Sequence, residues 1–113
     1  MKRKYRLTGA KNIIRVKLIG KTFVHPFFVM IVAENSLPLT RITFVASKTV
    51  GNAVKRNRAK RKLRAVVTEV HSTIKGGWDL IFLARKIINN ANYQDLQGAI
   101  NNLLKQAGLK VSD

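Results

Sequence analysis

An α+β fold is what this sequence predicts, on three observations. Apolar residues recur at helical spacing in three stretches, near the start, through the middle and towards the end. Three other runs are apolar and rich in β-branched or aromatic residues over strand lengths. The connections marked by Pro and Gly are short, and no internal repeat or low-complexity stretch breaks the pattern. With 113 residues, 46% of them hydrophobic, the chain is the size of one compact domain with one core. Residues 1–6 form a basic N-terminal arm, and residues 7–113 the single folded domain.

The elements follow in order. Leu7, Ala10, Ile14 and Leu18 predict a first helix, with Gly20 as its stop. Phe27 to Ala33 is almost wholly apolar and suits a covered strand, with Pro26 at its entry where a missing N–H is tolerated. The turn-rich segment Glu34-Asn35-Ser36-Leu37-Pro38 leads to Arg41–Ser47, which alternates through Ile42, Phe44 and Ala46 and reads as the antiparallel partner in a hairpin. Thr49 to Asn52 supplies turn and capping chemistry before a long helix whose apolar face is Ala59, Leu63, Val66, Val67, Val70 and Ile74, ending near Gly76-Gly77. Trp78 to Ala84 is a compact strand. Asn92, Leu96, Ile100, Leu103, Leu104 and Ala107 describe a last amphipathic helix, capped at Asn92 and stopped at Gly108.

Charge narrows the partner. Lys and Arg total 22 against five Asp and Glu, a formal net charge of +17. Such an excess repels itself in the folded state, and a polyanion relieves the repulsion; nucleic acid is the leading partner. Seven of the ten residues from Lys55 to Arg64 are cationic, and no acidic residue occurs between Glu34 and Glu69, so nothing local neutralises them. At about 100° per residue the apolar stripe centres on Leu63. Asn57, Lys60, Arg61 and Arg64 fall on one flank and Lys55, Arg58 and Lys62 on the other, while Arg56 projects in line with the stripe, into an open groove beyond the core. Cations at a helix N-terminus oppose the helix dipole, and a bound anion there removes the penalty.

Several classes are excluded. Without cysteine there is no disulfide framework, thiolate zinc site or cysteine nucleophile. No apolar run is long enough to span a bilayer and no signal-peptide core follows Met1-Lys2-Arg3-Lys4, so a cytoplasmic protein without a membrane partner is expected. His25 and His71 are isolated, and Glu34, Glu69, Asp79, Asp95 and Asp113 are scattered without metal-ligand spacing, so no catalytic residue is assigned. Trp78 and Phe82 are expected to fill the core at strand spacing; Tyr93 is open to either a packing or a stacking role.

The stretch Ser47-Lys48-Thr49-Val50-Gly51-Asn52-Ala53-Val54-Lys55-Arg56-Asn57-Arg58-Ala59-Lys60-Arg61-Lys62-Leu63-Arg64 closely resembles the motif of the bacterial ribonuclease P protein component family. The likeness extends over about residues 6–104, with Arg6-Leu7 opening a helix, Gly20-Lys21 ending it, Phe28-Val29 in a strand, Arg41 before the next strand and Asp79 through Arg85 after the long helix. The resemblance implies a compact αβββαβα domain with a left-handed crossover, and hence a further short strand near Lys21 to Val24.

It also implies a function. The family assists a catalytic RNA that removes the 5′ leader from precursor tRNA by endonucleolytic hydrolysis, so the ribonuclease P RNA and the leader are the implied partners, with no obligate protein partner. Mg²⁺ would be required by the RNA-based holoenzyme and none bound by the protein alone, which is expected to be inactive. Carried onto this sequence, the RNA-binding residues are Lys48, Asn52, Arg56, Asn57, Arg58, Lys60, Arg61 and Arg64. A leader groove between the sheet and the first and last helices would use Ile13, Lys17 and Ile31, where the family carries aromatics, with Lys17 as a phosphate contact and Phe28 pointing into the core. The alternatives are a ribosomal or other structural RNA-binding protein, a DNA-binding regulator with Lys55 to Arg64 as recognition helix, and a self-sufficient nuclease. The regulator lacks a short helix-turn-helix partner and the nuclease lacks ligands.

Overall fold

The computed structural model describes residues 1–111. Three helices, α1 (Ala10–Ile19), α2 (Ala53–Val70) and α3 (Tyr93–Gln106), pack about a four-stranded sheet of β1 (Lys21–Val24), β2 (Phe28–Glu34), β3 (Arg41–Ala46) and β4 (Trp78–Ala84). The α+β class and the αβββαβα order are those expected.

The strand order is β1-β2-β4-β3, with β1–β2 and β2–β4 antiparallel and β3–β4 parallel. The predicted hairpin between β2 and β3 therefore does not form; the hairpin is β1–β2, and β4 lies between the other two. The loop that was to turn the hairpin wraps the entry to β4 instead. Asn35 donates its backbone N–H to the Gly77 carbonyl, and the Gly77 N–H donates to Leu39. A Cβ on Gly76 would sit 2.3 Å from the Pro38 oxygen, so only glycine lets the loop lie this close. The near-continuous apolar run of β4 also favours a central place, where both edges are hydrogen-bonded and both faces covered.

Two cores result, one on each face of the sheet. On the first, Phe28, Met30, Leu80 and Phe82 meet Ala59, Leu63, Val66 and Val67 of α2 and Leu96, Ile100 and Leu104 of α3. Trp78 is half-buried at its edge. On the second, Ile31, Ala33 and Ile81 meet Leu7 and Val16. The long helix keeps its expected face but ends earlier than Gly76: a 3-10 turn at His71–Thr73 follows Val70 and delivers Ile74 to the core.

The first helix departs most from expectation. Leu7 lies outside it, buried, with its N–H donated to the Ile42 carbonyl of β3, and Gly9, at φ 88°, marks the break before Ala10. Arg6 forms a parallel bridge to Ile42, so the end of the basic arm runs along the free edge of β3 rather than opening the helix. Ile14 and Leu18, two members of the predicted apolar stripe, are 56% and 79% exposed, and the helix instead turns Ile13 and Val16 to the sheet. An ion pair, described below, fixes that rotation.

Candidate nucleic-acid interface

The basic segment is presented by a helix that is capped at its start and packed along one side. Asn52 accepts the Lys55 N–H at 3.0 Å as N-cap. Before it, a 3-10 turn at Lys48–Val50 buries Val50 and leaves Lys48 exposed. With Ala59, Leu63, Val66 and Val67 at zero exposure, the opposite side of α2 must face outwards.

The candidate residues fall as follows. Lys48, Asn52, Asn57, Arg58, Arg61 and Arg64 are exposed, and Arg56 and Lys60 are half-buried. Arg56 does not stand free in an open groove: its Nη1 donates to the Gly51 carbonyl at 3.1 Å, closing the turn before the helix. Arg64 lies over the Phe44 ring, 5.5 Å from its centroid, beside the N-terminal arm.

Lys62, placed by sequence on a phosphate-facing flank, has a structural use. Its Nζ donates to the carbonyls of Ile88, Asn89 and Ala91 at 3.4, 2.9 and 2.8 Å, tying α2 to the 3-10 turn at Lys86–Asn90 that precedes α3. Burial, and then the nearby charge of Arg58, hold its pKa below the usual lysine value. Among the described residues both ion pairs converge on Asp79, so the remaining cations of α2 have no carboxylate partner.

The second candidate region lies on the other face of the sheet. Ile13 is half-buried against it, Lys17 is exposed on α1, and Ile31 is only 8% exposed. Ile31 therefore belongs to the core rather than to an accessible groove wall: a Cβ on Gly20 would come within 2.6 Å of its Cγ2, which shows how tightly α1 closes over it. The accessible wall is one row further along, where the register aligns Val24, Val29, Leu83 and Val45 across all four strands. None of these is buried. Phe28 points to the opposite core at zero exposure, as expected.

One constellation escaped the sequence reading. Asp79, at zero exposure, accepts from Arg41 Nε at 2.9 Å and Nη2 at 2.8 Å, from Asn35 Nδ2 at 2.9 Å, and from Arg15 Nη2. Arg15 also donates to the Glu34 carbonyl at 3.0 Å. Burial pushes the Asp79 carboxyl up, but the hydrogen bonds from Arg41 and Asn35 and the charges of Arg41 and Arg15 outweigh it and hold it below the usual carboxylate range. The cluster pins α1 to the sheet and sets its rotation. A lone acid inside an apolar strand of a strongly basic chain was the available signal, since such a charge has to be paired. Partners at positions 15, 35 and 41 were not legible from spacing.

No three His, Asp or Glu side chains converge as metal ligands among the described residues. The most buried carboxylate, Asp79, has its oxygens committed to guanidinium and amide donors and does not fit a cation.

Comparison with known proteins agrees with this geometry. The ribonuclease P family model matches residues 1–108. The ribonuclease P protein component of Herpetosiphon aurantiacus is 38% identical over 109 residues, covering 96% of this chain and 89% of the relative. That of Dehalococcoides mccartyi is 38% identical over 107 residues, covering 95% and 88%. Among solved structures, the RNase P protein of Staphylococcus aureus superposes with a TM-score of 0.83 at 27% identity, covering 94% of this chain and 97% of that one. The RNase P protein of Thermotoga maritima, at 24% identity, shares the fold with a TM-score of 0.81 over 89% and 96%. A capped, unpaired basic helix on a β1-β2-β4-β3 sheet and sequence likeness over nearly the whole length lead to one assignment: the chain belongs to the bacterial ribonuclease P protein component family.

Proposed function

We propose that this subunit of the ribonuclease P ribonucleoprotein holds the catalytic RNA with the outward side of α2 and the 5′ leader of precursor tRNA with the face beneath α1. The observation that carries the reading is the set of α2 cations that lack carboxylate partners on a helix fixed by its buried side. Guanidinium groups held on a rigid element suit phosphate, and neutralising phosphate releases condensed counterions. Chemistry and Mg²⁺ are assigned to the RNA, and the protein supplies charge and position. Cleavage of precursor tRNA by a bacterial ribonuclease P RNA at low Mg²⁺, with and without the chain, tests this. The chain should restore cleavage there and cleave nothing by itself; an unchanged RNA-only rate would sink the proposal.

The leader assignment has its own test. Lys17 is exposed on α1, the helix that packs on the face carrying Val29, Leu83 and Val45, which has no aromatic for stacking, so the charge of Lys17 is the contact assigned to leader phosphate. Lys17→Ala should weaken precursor tRNA but not mature tRNA, and lower the magnitude of the salt slope by roughly 0.7 for one single-strand contact. Ile13→Phe should strengthen precursor binding with little change in slope. Equal loss for both tRNAs on Lys17→Ala would withdraw the groove assignment.

A further inference from the structure

Between α2 and the start of α3, away from the groove beneath α1, lies a cavity of about 320 Å³ with two of the candidate RNA-binding arginines of α2 in its wall. Arg58, Arg61 and Ala65 line it from α2, and Tyr93 and Leu96 from α3. Leu96 is buried at 1% exposure and forms an apolar floor, whereas Tyr93, the first residue of α3, is 48% exposed. Tyr93 has no aromatic or cationic partner among the described ring contacts, although Tyr5, His25, Phe27, Phe28 and Phe44 all have one.

The cavity is preformed. The three carbonyl bonds of Lys62 fasten α2 to the turn leading into α3, and Asn92 caps α3 by accepting the Asp95 N–H at 2.8 Å. Its volume lies at the lower end of the roughly 300–1,000 Å³ range of small-molecule sites, enough for one planar ring system. An apolar floor, a half-exposed aromatic face and two guanidinium groups with no carboxylate partner make a combined demand. The ligand must have a flat π surface and carry anionic groups beside it, and an unpaired nucleotide has both.

We propose that this cavity takes one unpaired nucleotide of the ribonuclease P RNA, its base stacked on Tyr93 and its flanking phosphates held by Arg58 and Arg61. The inference rests on the assignment of α2 to that RNA and adds to it. Phosphate contacts along the helix position the RNA, whereas a base in the cavity would report an unpaired position in its secondary structure.

The test is binding of the whole chain to a bacterial ribonuclease P RNA over a salt series, with thermal melting as the folding control. Tyr93→Ala removes the stacking face, and Ala65→Phe fills the cavity from an exposed helix position without touching charge. Each should weaken binding about 5- to 140-fold with the salt slope unchanged, while Tyr93→Phe binds as the parent does. Arg58→Ala should lower both affinity and slope, the slope by roughly 0.7–0.9. If Arg58→Ala weakens binding but Tyr93→Ala and Ala65→Phe do not, the cavity proposal is overturned and the basic-helix assignment survives. If none of the three weakens it, both fall together. A loss on Tyr93→Ala seen only with precursor tRNA would give the cavity another occupant and overturn the proposal as well.

Discussion

Asp79→Asn is expected to cost the fold about 3 kcal/mol, the low end of the range for breaking a buried ion pair. The carboxylate is fully buried, whereas the Arg15 and Arg41 side chains are 33% and 22% exposed, and solvent reaching them softens the loss. Asparagine keeps the shape but removes the charge, leaving two guanidinium groups against a neutral amide at the start of β4. Urea denaturation at neutral pH measures the loss as a shift in midpoint without a large change in slope. Acid adds an independent check. Because the folded carboxyl titrates below its ordinary value of about 3.9, its contribution is complete above that value and disappears as pH falls through the lower folded one. The parent should therefore lose more stability than Asp79→Asn between neutrality and strong acid. Parallel acid profiles for the two proteins would mean that the pair contributes nothing to the fold. Since Arg15 ties α1 to this cluster, precursor tRNA should bind the variant more weakly even where it remains folded.

The double substitution Arg56→Ala with Arg61→Ala should weaken binding to ribonuclease P RNA by about 100-fold or more, as each charge-assisted contact contributes about 1.5–3 kcal/mol net and two are lost. For two lost phosphate contacts the salt slope should fall by roughly 1.4–1.8. The fold should change little. Arg61 is exposed and has no hydrogen bond to protein among the described residues, and Arg56 has one, to the Gly51 carbonyl at the start of α2. Lys62→Ala offers the contrasting case, because its ammonium serves three carbonyls and its loss should appear in stability first. Unchanged affinity in the arginine double variant, with a normal melting midpoint, would remove this side of α2 from the interface.

Much of the molecule was legible in the sequence. Periodicity located α2 and α3 and their buried faces, the Asn52 and Asn92 caps were readable from residue type, and Trp78–Ala84 was bounded correctly. These features depend on neighbours a few residues apart, where helical and strand spacing carry the information. The motif from Ser47 to Arg64 identified the family, and the absence of acid between Glu34 and Glu69 identified the helix whose charge no nearby residue in the sequence neutralises.

Tertiary structure decided what long-range contacts control. Residues Arg41 to Ala46 are a strand by any local measure, yet their partner is β4, brought in from across α2, because the Asn35–Leu39 loop closes on Gly76 and Gly77 instead of turning a hairpin. Leu7, Ile14 and Leu18 have helical spacing, yet Leu7 pairs with β3 and the other two face outwards. Arg15 must reach Asp79, and a buried carboxylate without its cations costs far more than two exposed aliphatic side chains. The same distinction separates Lys62 from its neighbours in the basic run: sequence gives all of them one charge, and only the carbonyls of residues 88, 89 and 91 show which one the fold keeps for itself.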